Sequence, residues 1–204
     1  MIGIIDFGLG NLTSVAGAVA KVGFDPIVTN NPDELARMDK LILPGVGAFG
    51  DGMKKLHSGG LVDPLNDLVL NQRKPILGIC LGFQLIAKSS DEYGSHGGLG
   101  WVDAEIKKIN PSDNTLRVPH VGWNELYQVN SSILFDDIPD GELFYYVHSH
   151  RMEKSSADIA IGECDYGGRF VSAIQSGNVY GTQFHPEKSQ FHGLALLKNF
   201  LEKS

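Results

Sequence analysis

The stretch Pro75-Ile76-Leu77-Gly78-Ile79-Cys80-Leu81-Gly82-Phe83-Gln84-Leu85-Ile86-Ala87 decides the reading of the fold. Residues 75–79 form a short apolar run of the kind that makes a strand buried on both faces. Residues 83–87 start a helix. Between them a cysteine is bracketed by glycines two places before and two places after. A sharp strand-to-helix turn strains the central residue and brings its flanking positions close together, and only glycine lacks the Cβ that would clash there. The turn puts the sulfur of Cys80 at the positive end of a helix, which favours the thiolate. It also aims the N–H of Leu81 at the place where an oxyanion would form. A free cysteine is more often a small core residue, but both glycines, the strand and the helix together favour a nucleophile. Cys164 has no such setting and reads as core.

The same alternation extends towards the N-terminus. Ile2-Gly3-Ile4-Ile5 reads as a buried strand, and 11–22 as a helix closed by Gly23. Pro26-Ile27-Val28-Thr29 is the next strand. Asn31-Pro32-Asp33-Glu34 starts a helix with a capping residue, a proline at the first position and acids in the first turn. Lys40-Leu41-Ile42-Leu43 is a third strand, ended by Pro44-Gly45, and 61–71 is a helix. Strands and helices at this spacing imply right-handed crossovers and a parallel sheet with helices on both faces. Past Val102 the chain reads mostly as strands, at 104–109, 143–148, 159–163, 170–174 and 179–184. Turn signals such as Tyr166-Gly167-Gly168 and Ser176-Gly177-Asn178 separate the later ones. Residues 193–201 form a last helix. The expected class is therefore α/β, with extra antiparallel strands in the second half. No repeat, low-complexity tract or linker divides the chain, so residues 1–204 are taken as a single domain.

Composition narrows the function. The 204 residues are 42% apolar, enough for an ordinary core. The formal charge of −7 argues against a nucleic-acid binder, which needs a basic face. Two cysteines make no disulfide framework. The first residues lack a charged segment followed by a long apolar one, so no signal peptide is expected. No apolar run approaches the ~20 residues that cross a bilayer. A cytosolic location, where a thiol stays reduced, is the expectation.

A thiol nucleophile needs a base, and an imidazole base is usually held by a third group. Of the seven histidines, His185 stands out. It ends the strand Tyr180-Gly181-Thr182-Gln183-Phe184 and is followed by Pro186-Glu187. Proline fixes the turn, and the Glu187 carboxylate can then accept the second imidazole N–H and set the tautomer. A surface His-x-Glu pair is common, so the pair by itself is weak and the whole segment carries the assignment.

Gly-x-Cys-x-Gly followed about a hundred residues later by a strand ending in His-Pro-Glu resembles the class I glutamine amidotransferases. The resemblance covers essentially the whole chain. It implies a flavodoxin-like parallel sheet and a Cys80-His185-Glu187 triad that releases ammonia from glutamine. Pro44-Gly45-Val46-Gly47 is similar to the family's oxyanion segment, which assigns Val46 and Gly47, with Leu81, to that role. Gln84 is similar to its glutamine-contacting residue. Within the family, Pro119-His120-Val121-Gly122-Trp123-Asn124, Tyr145-Tyr146-Val147-His148-Ser149 and His185-Pro186-Glu187-Lys188-Ser189 resemble members that pass ammonia to a (β/α)8 cyclase subunit in histidine biosynthesis. That likeness implies a heterodimer and no cofactor or metal. It puts His148 and Ser149 near glutamine, and Asn11, Trp123, Tyr145 and Lys188 towards the barrel and the ammonia path. Phe83, Val121 and His150 depart from the usual pattern, and none belongs to the triad. A paralogue that supplies ammonia for sugar amidation in surface polysaccharide synthesis fits the same residues.

Three other classes compete. A metal protein could use His148-Ser149-His150 with His185 and Glu187, but the spacing is not a zinc pattern. A dinucleotide module could use Gly8-Leu9-Gly10 after the first strand, but Thr13 stands where a third glycine is required. A protein that only docks on a partner would not need the triad intact.

Overall fold

The computed structural model describes residues 1–113, 115–153 and 158–204. In chain order its elements are β1 (Ile2–Ile5), α1 (Leu12–Lys21), β2 (Pro26–Thr29), α2 (Pro32–Arg37), β3 (Lys40–Gly45), α3 (Phe49–Ser58), α4 (Val62–Asn66), β4 (Ile76–Cys80) and α5 (Leu81–Leu85). There follow β5 (Ser89–Ser90), β6 (His96–Gly97), β7 (Glu105–Lys108), β8 (His120–Gln128), β9 (Glu142–His148), β10 (His150–Met152), β11 (Ala160–Asp165), β12 (Arg169–Ser176), β13 (Val179–Thr182) and α6 (Gln190–Lys203).

The apolar runs behave as their burial requires. The parallel strands are ordered β2-β1-β3-β4-β13, and β1, β4 and β13 are buried along their whole length. Only the edge strand β2 shows apolar side chains to solvent, at Ile27 and Val28. Alternate residues feed two cores. Ile4, Ile42, Leu77 and Ile79 pack with Val15 and Val19 of α1 and Leu196 and Phe200 of α6. Ile5, Leu41, Leu43 and Ile76 pack with Phe49 and Leu56 of α3, Leu65 of α4 and Leu81 and Phe83 of α5. Beyond β13 the sheet turns antiparallel through β12, which also pairs with β11. β11 leads to β8, and β8 pairs with β9 in a long antiparallel ladder. Two registers fix the chemistry: Gly45 lies opposite Cys80, and Thr182 lies opposite Ile79. The ends of β3 and β13 therefore flank the strand-to-helix turn at Cys80.

The α/β reading and its antiparallel addition hold, with local differences. β3 runs on through Pro44 and Gly45, because β1 stops pairing at Ile42 and no partner on that side awaits the missing N–H of Pro44. The helix α3 was not expected, since Gly50 and Gly52 are poor helix formers. Packing overrides propensity there: Phe49, Met53 and Leu56 are buried, and Gly52 leaves room for Leu85, whose methyl would lie 3.0 Å from an added Cβ. The helix expected over 61–71 is α4 followed by a π-helical stretch, Asp67–Asn71. β8 is not marked as a strand by its sequence, because Gly122, Asn124 and Glu125 depress its strand propensity.

Candidate active site

The turn at Cys80 has the geometry that its glycines demand. Cys80 sits at φ 54° and ψ −106°, a backbone conformation an L side chain rarely adopts. A Cβ at Gly82 would lie 1.7 Å from the Leu43 carbonyl oxygen, and one at Gly78 would lie 2.9 Å from the carbonyl carbon of Gly82. Neither position admits a larger residue without moving β3 or α5. Cys80 is 7% exposed, with its sulfur 3.8 Å from the Val147 carbonyl oxygen. The helix after it has only five residues, so the dipole behind the sulfur is short.

His185 leaves the end of β13, and the 3-10 turn Pro186–Lys188 folds Glu187 back beneath it. Nδ1 donates to Glu187 Oε1 at 2.8 Å, and both side chains are almost wholly buried. Nε2 makes no hydrogen bond of full geometry, and the group it interacts with is Cys80. Burial pushes the imidazole towards neutrality, but the Cys80 sulfur and the Glu187 carboxylate overcome it and raise His185 from 6.5 to about 9. His185 therefore carries its proton near neutral pH. The ring is further fixed by its backbone, whose N–H donates to the Tyr145 carbonyl at 2.9 Å and whose carbonyl accepts the Ser189 hydroxyl at 2.6 Å.

The opposite wall comes from β8 and β9. His148 Nδ1 lies 2.8 Å from the His150 carbonyl, which can only accept, so Nδ1 carries the proton. Its Nε2 is then the acceptor for His120 Nδ1 at 2.9 Å. His120 Nε2 in turn accepts from Asn124 Nδ2 at 3.3 Å. Burial lowers His148 to about 3 and His120 to about 4. Tyr166 stacks on His120 with 3.9 Å between ring centres. This wall is a chain of neutral rings with every proton accounted for.

Between the walls lies a cleft of about 450 Å³, within the range of roughly 300–1,000 Å³ common for small-molecule sites. Val46, Gly47, Cys80, Leu81, Gln84, His148, Ser149 and His185 all line it. Gln84 donates both amide hydrogens, to the His150 carbonyl and to Gln183 Oε1, each at 3.0 Å. Its own oxygen is left as an acceptor. Glu92 and Tyr93 line the same cleft and were not singled out from the sequence. The Glu92 carboxylate is held by the Phe49 N–H at 2.7 Å and by His150 Nδ1 at 3.3 Å. Nothing in Asp91-Glu92-Tyr93-Gly94 separates Glu92 from the other surface acids, because its place depends on the fold of the chain after α5.

Three of the four residues expected at an interface come together. Trp123 and Tyr145 meet edge to face at 6.0 Å, and Lys188 Nζ lies 5.8 Å from the Tyr145 ring centre. Tyr145 is 6.4 Å from the His185 ring, so this cluster backs directly onto His185. Asn11 stands apart as the N-cap of α1, accepting the Ser14 N–H at 3.2 Å, on a helix that packs against the turn carrying Glu187. Around the cluster Val121, Leu143, Val147 and Phe191 leave an apolar surface exposed. Among the described residues no cluster of three or more His, Cys, Asp or Glu could hold a metal, and no helix is long and apolar enough to cross a membrane.

A thiol at a strained elbow, an imidazole locked by a carboxylate and an acceptor-lined cleft suit acyl transfer from a small amide. Residues 3–204 match the family "Glutamine amidotransferase class-I". The chain belongs to that family and is a glutamine amidotransferase. It is 42% identical over 202 residues to the imidazole glycerol phosphate synthase subunit HisH of Leptospira interrogans, covering 98% of each chain. It is likewise 42% identical over 204 residues to the subunit HisH 2 of Methanococcus maripaludis, covering all of both. Solved structures share the fold at lower identity. One described as a glutamine amidotransferase aligns with TM-score 0.76 at 18% identity, covering 98% of this chain and 97% of that one. A chain of PurLQS from Thermotoga maritima aligns with TM-score 0.74 at 18% identity, covering 98% and 96%.

Proposed function

We propose that the chain is the glutaminase subunit of an imidazole glycerol phosphate synthase, working as a heterodimer with a (β/α)8 cyclase subunit in histidine biosynthesis. The observation that carries this reading is the Cys80-His185-Glu187 arrangement backed by the cluster of half-buried Tyr145 with exposed Trp123 and Lys188. Full-length likeness to HisH subunits supports the choice of partner.

In this reading the Cys80 sulfur attacks the carboxamide carbon of glutamine, and the C–O π electrons move onto oxygen. Val46, Gly47 and Leu81 supply the neighbourhood of that oxyanion. The C–N bond then breaks, and His185 gives its proton to the leaving ammonia. Water attacks the thioester carbon as His185 takes its proton, the C–S bond breaks, and glutamate leaves with the protonated His185 and the Cys80 thiolate restored. Glutamine and water thus give glutamate and ammonia. The free oxygen of Gln84 and the Glu92 carboxylate suit the α-ammonium of the substrate, since both are acceptors.

Hydrolysis without a partner would waste glutamine, so low activity alone and activation by the loaded cyclase are expected. The peptide between Val46 and Gly47 is the switch we assign. Gly47 sits at φ +107°, and without a Cβ it can take the backbone angles on either side of such a turn. Mixing the chain with a cyclase subunit of histidine biosynthesis and following glutamine-dependent ring closure tests the proposal. Ring closure supports it. A working thiol with no complex and no ring closure would overturn the partner and favour the sugar-amidating paralogue, and full turnover by the isolated chain would overturn the switch.

A further inference from the structure

Gln183 is fully buried, two residues before His185, and the chemistry above gives it no part. Its side-chain amide spans two groups of the cleft: Gln84 Nε2 at 3.0 Å and the Cys80 sulfur at 4.0 Å. Which end faces which follows from the donors. The His150 carbonyl only accepts, and it receives the Nδ1–H of His148 and one N–H of Gln84. Gln84 therefore turns its NH2 group inward. The second hydrogen of that group needs an acceptor, so Gln183 presents its oxygen to Gln84. The NH2 of Gln183 is then left facing the sulfur. Flipping either amide would set donor against donor at buried atoms, which buried polar groups avoid.

We propose that Gln183 is a positioning residue for the nucleophile: its N–H holds the Cys80 sulfur in line with His185 and favours its anion, while its oxygen fixes Gln84. A directed N–H stabilises a charged acceptor more than a neutral one. One amide thus links the residue that reads the substrate to the atom that attacks it. The register makes this possible, because Thr182 pairs with Ile79 and the next residue on β13's path falls beside Cys80. The inference rests on the reading of Cys80 as nucleophile.

The test uses Gln183→Glu and Gln183→Met in the full chain with its cyclase partner. Glutamate keeps an oxygen for Gln84 and removes the donor facing sulfur. It should lower kcat roughly 10- to 100-fold, the scale of a hydrogen bond to a charged group, with KM for glutamine unchanged. The pH profile of Cys80 alkylation by iodoacetamide should move to higher pH. Methionine fills the same volume without a buried acid and should show the same kcat loss and profile shift, with a rise in KM because Gln84 loses its acceptor. Wild-type alkylation profiles and wild-type kcat in either folded variant would overturn the proposal, as would a loss carried by KM alone. In the unsubstituted protein, alkylation of Cys80 that spared turnover would instead refute the nucleophile itself.

Discussion

His185 and His148 line the same cleft and are both buried, yet one is raised to about 9 and the other lowered to about 3. Burial pushes both the same way, towards the neutral ring. On the β13 side a carboxylate 2.8 Å away and a sulfur reverse the outcome. On the β8–β9 side only the His150 carbonyl favours the charged form, and it does not outweigh the cost of burying a cation. One wall is arranged to keep a proton, as the proposed chemistry requires. The other refuses protons and holds its shape through fixed tautomers. The difference lies in the partners each ring is given, since both rings are buried.

The largest break of this contrast is removal of the proton carrier. His185→Gln should lower glutaminase kcat roughly 10²- to 10⁴-fold, the usual range for a general acid–base, with partner binding intact by calorimetry. Glu187→Gln should be roughly 10²-fold less severe, since an orienting group costs less than the group it orients. A Glu187→Gln rate as low as that of His185→Gln would mean the carboxylate does more than orient.

The pH dependence sharpens the comparison. The imidazolium of His185 is present below about 9 and lost above it. Glutaminase kcat/KM, which reports the free enzyme, should therefore fall on the alkaline side with a midpoint near 9. In Cys80→Ala the sulfur that raises His185 is gone and burial still lowers it, so its NMR titration should move below 9. The opposite wall acts at acid pH. Unfolded histidine takes up a proton as pH falls through about 6.5, while His120 and His148 stay neutral until about 4 and 3. Their stability contribution is therefore intact above about 6.5 and lost as pH falls towards 4 and 3, at about 1.4 kcal/mol per pH unit for each. Urea midpoints between pH 7 and 4 should fall less steeply in His120→Gln than in the unsubstituted chain. Equal slopes would show that these rings are not held neutral.

The smallest effect is expected at the interface cluster. Lys188 is exposed, and Lys188→Ala should change stability within about 0.5 kcal/mol. The ratio of ring closure to glutamate released should nevertheless drop. A coupling ratio that matches the unsubstituted chain would remove Lys188 from the ammonia path.

The β13 wall was largely legible in the sequence, and the β8–β9 wall was not. Gly78, Cys80 and Gly82 carry their geometry in their spacing, because the turn admits no Cβ at the flanking sites. His185 and Glu187 are two residues apart, so local chain geometry alone can pair them. The relay of His120 and His148 depends on residues 28 apart brought opposite each other by strand pairing. A single sequence gives no register for that. The same holds for Glu92, which reaches the cleft through the Phe49 N–H, and for Gln183, whose partners lie about 100 residues away. α3 was hidden for the opposite reason, since its glycines serve packing against Leu85 rather than helix formation.

Burial raises the second cysteine, Cys164, to about 12, which leaves it an inert thiol. The two cysteines therefore allow a direct test of the nucleophile. The chain is treated with a glutamine-like chloroketone and digested, and the label is located by mass spectrometry, in parallel with turnover by Cys80→Ala and Cys164→Ala. The expected result is a single label on Cys80, no turnover in Cys80→Ala and full turnover in Cys164→Ala. A label on Cys164, or glutamate still released by Cys80→Ala, would contradict the assignment of Cys80 as the attacking group.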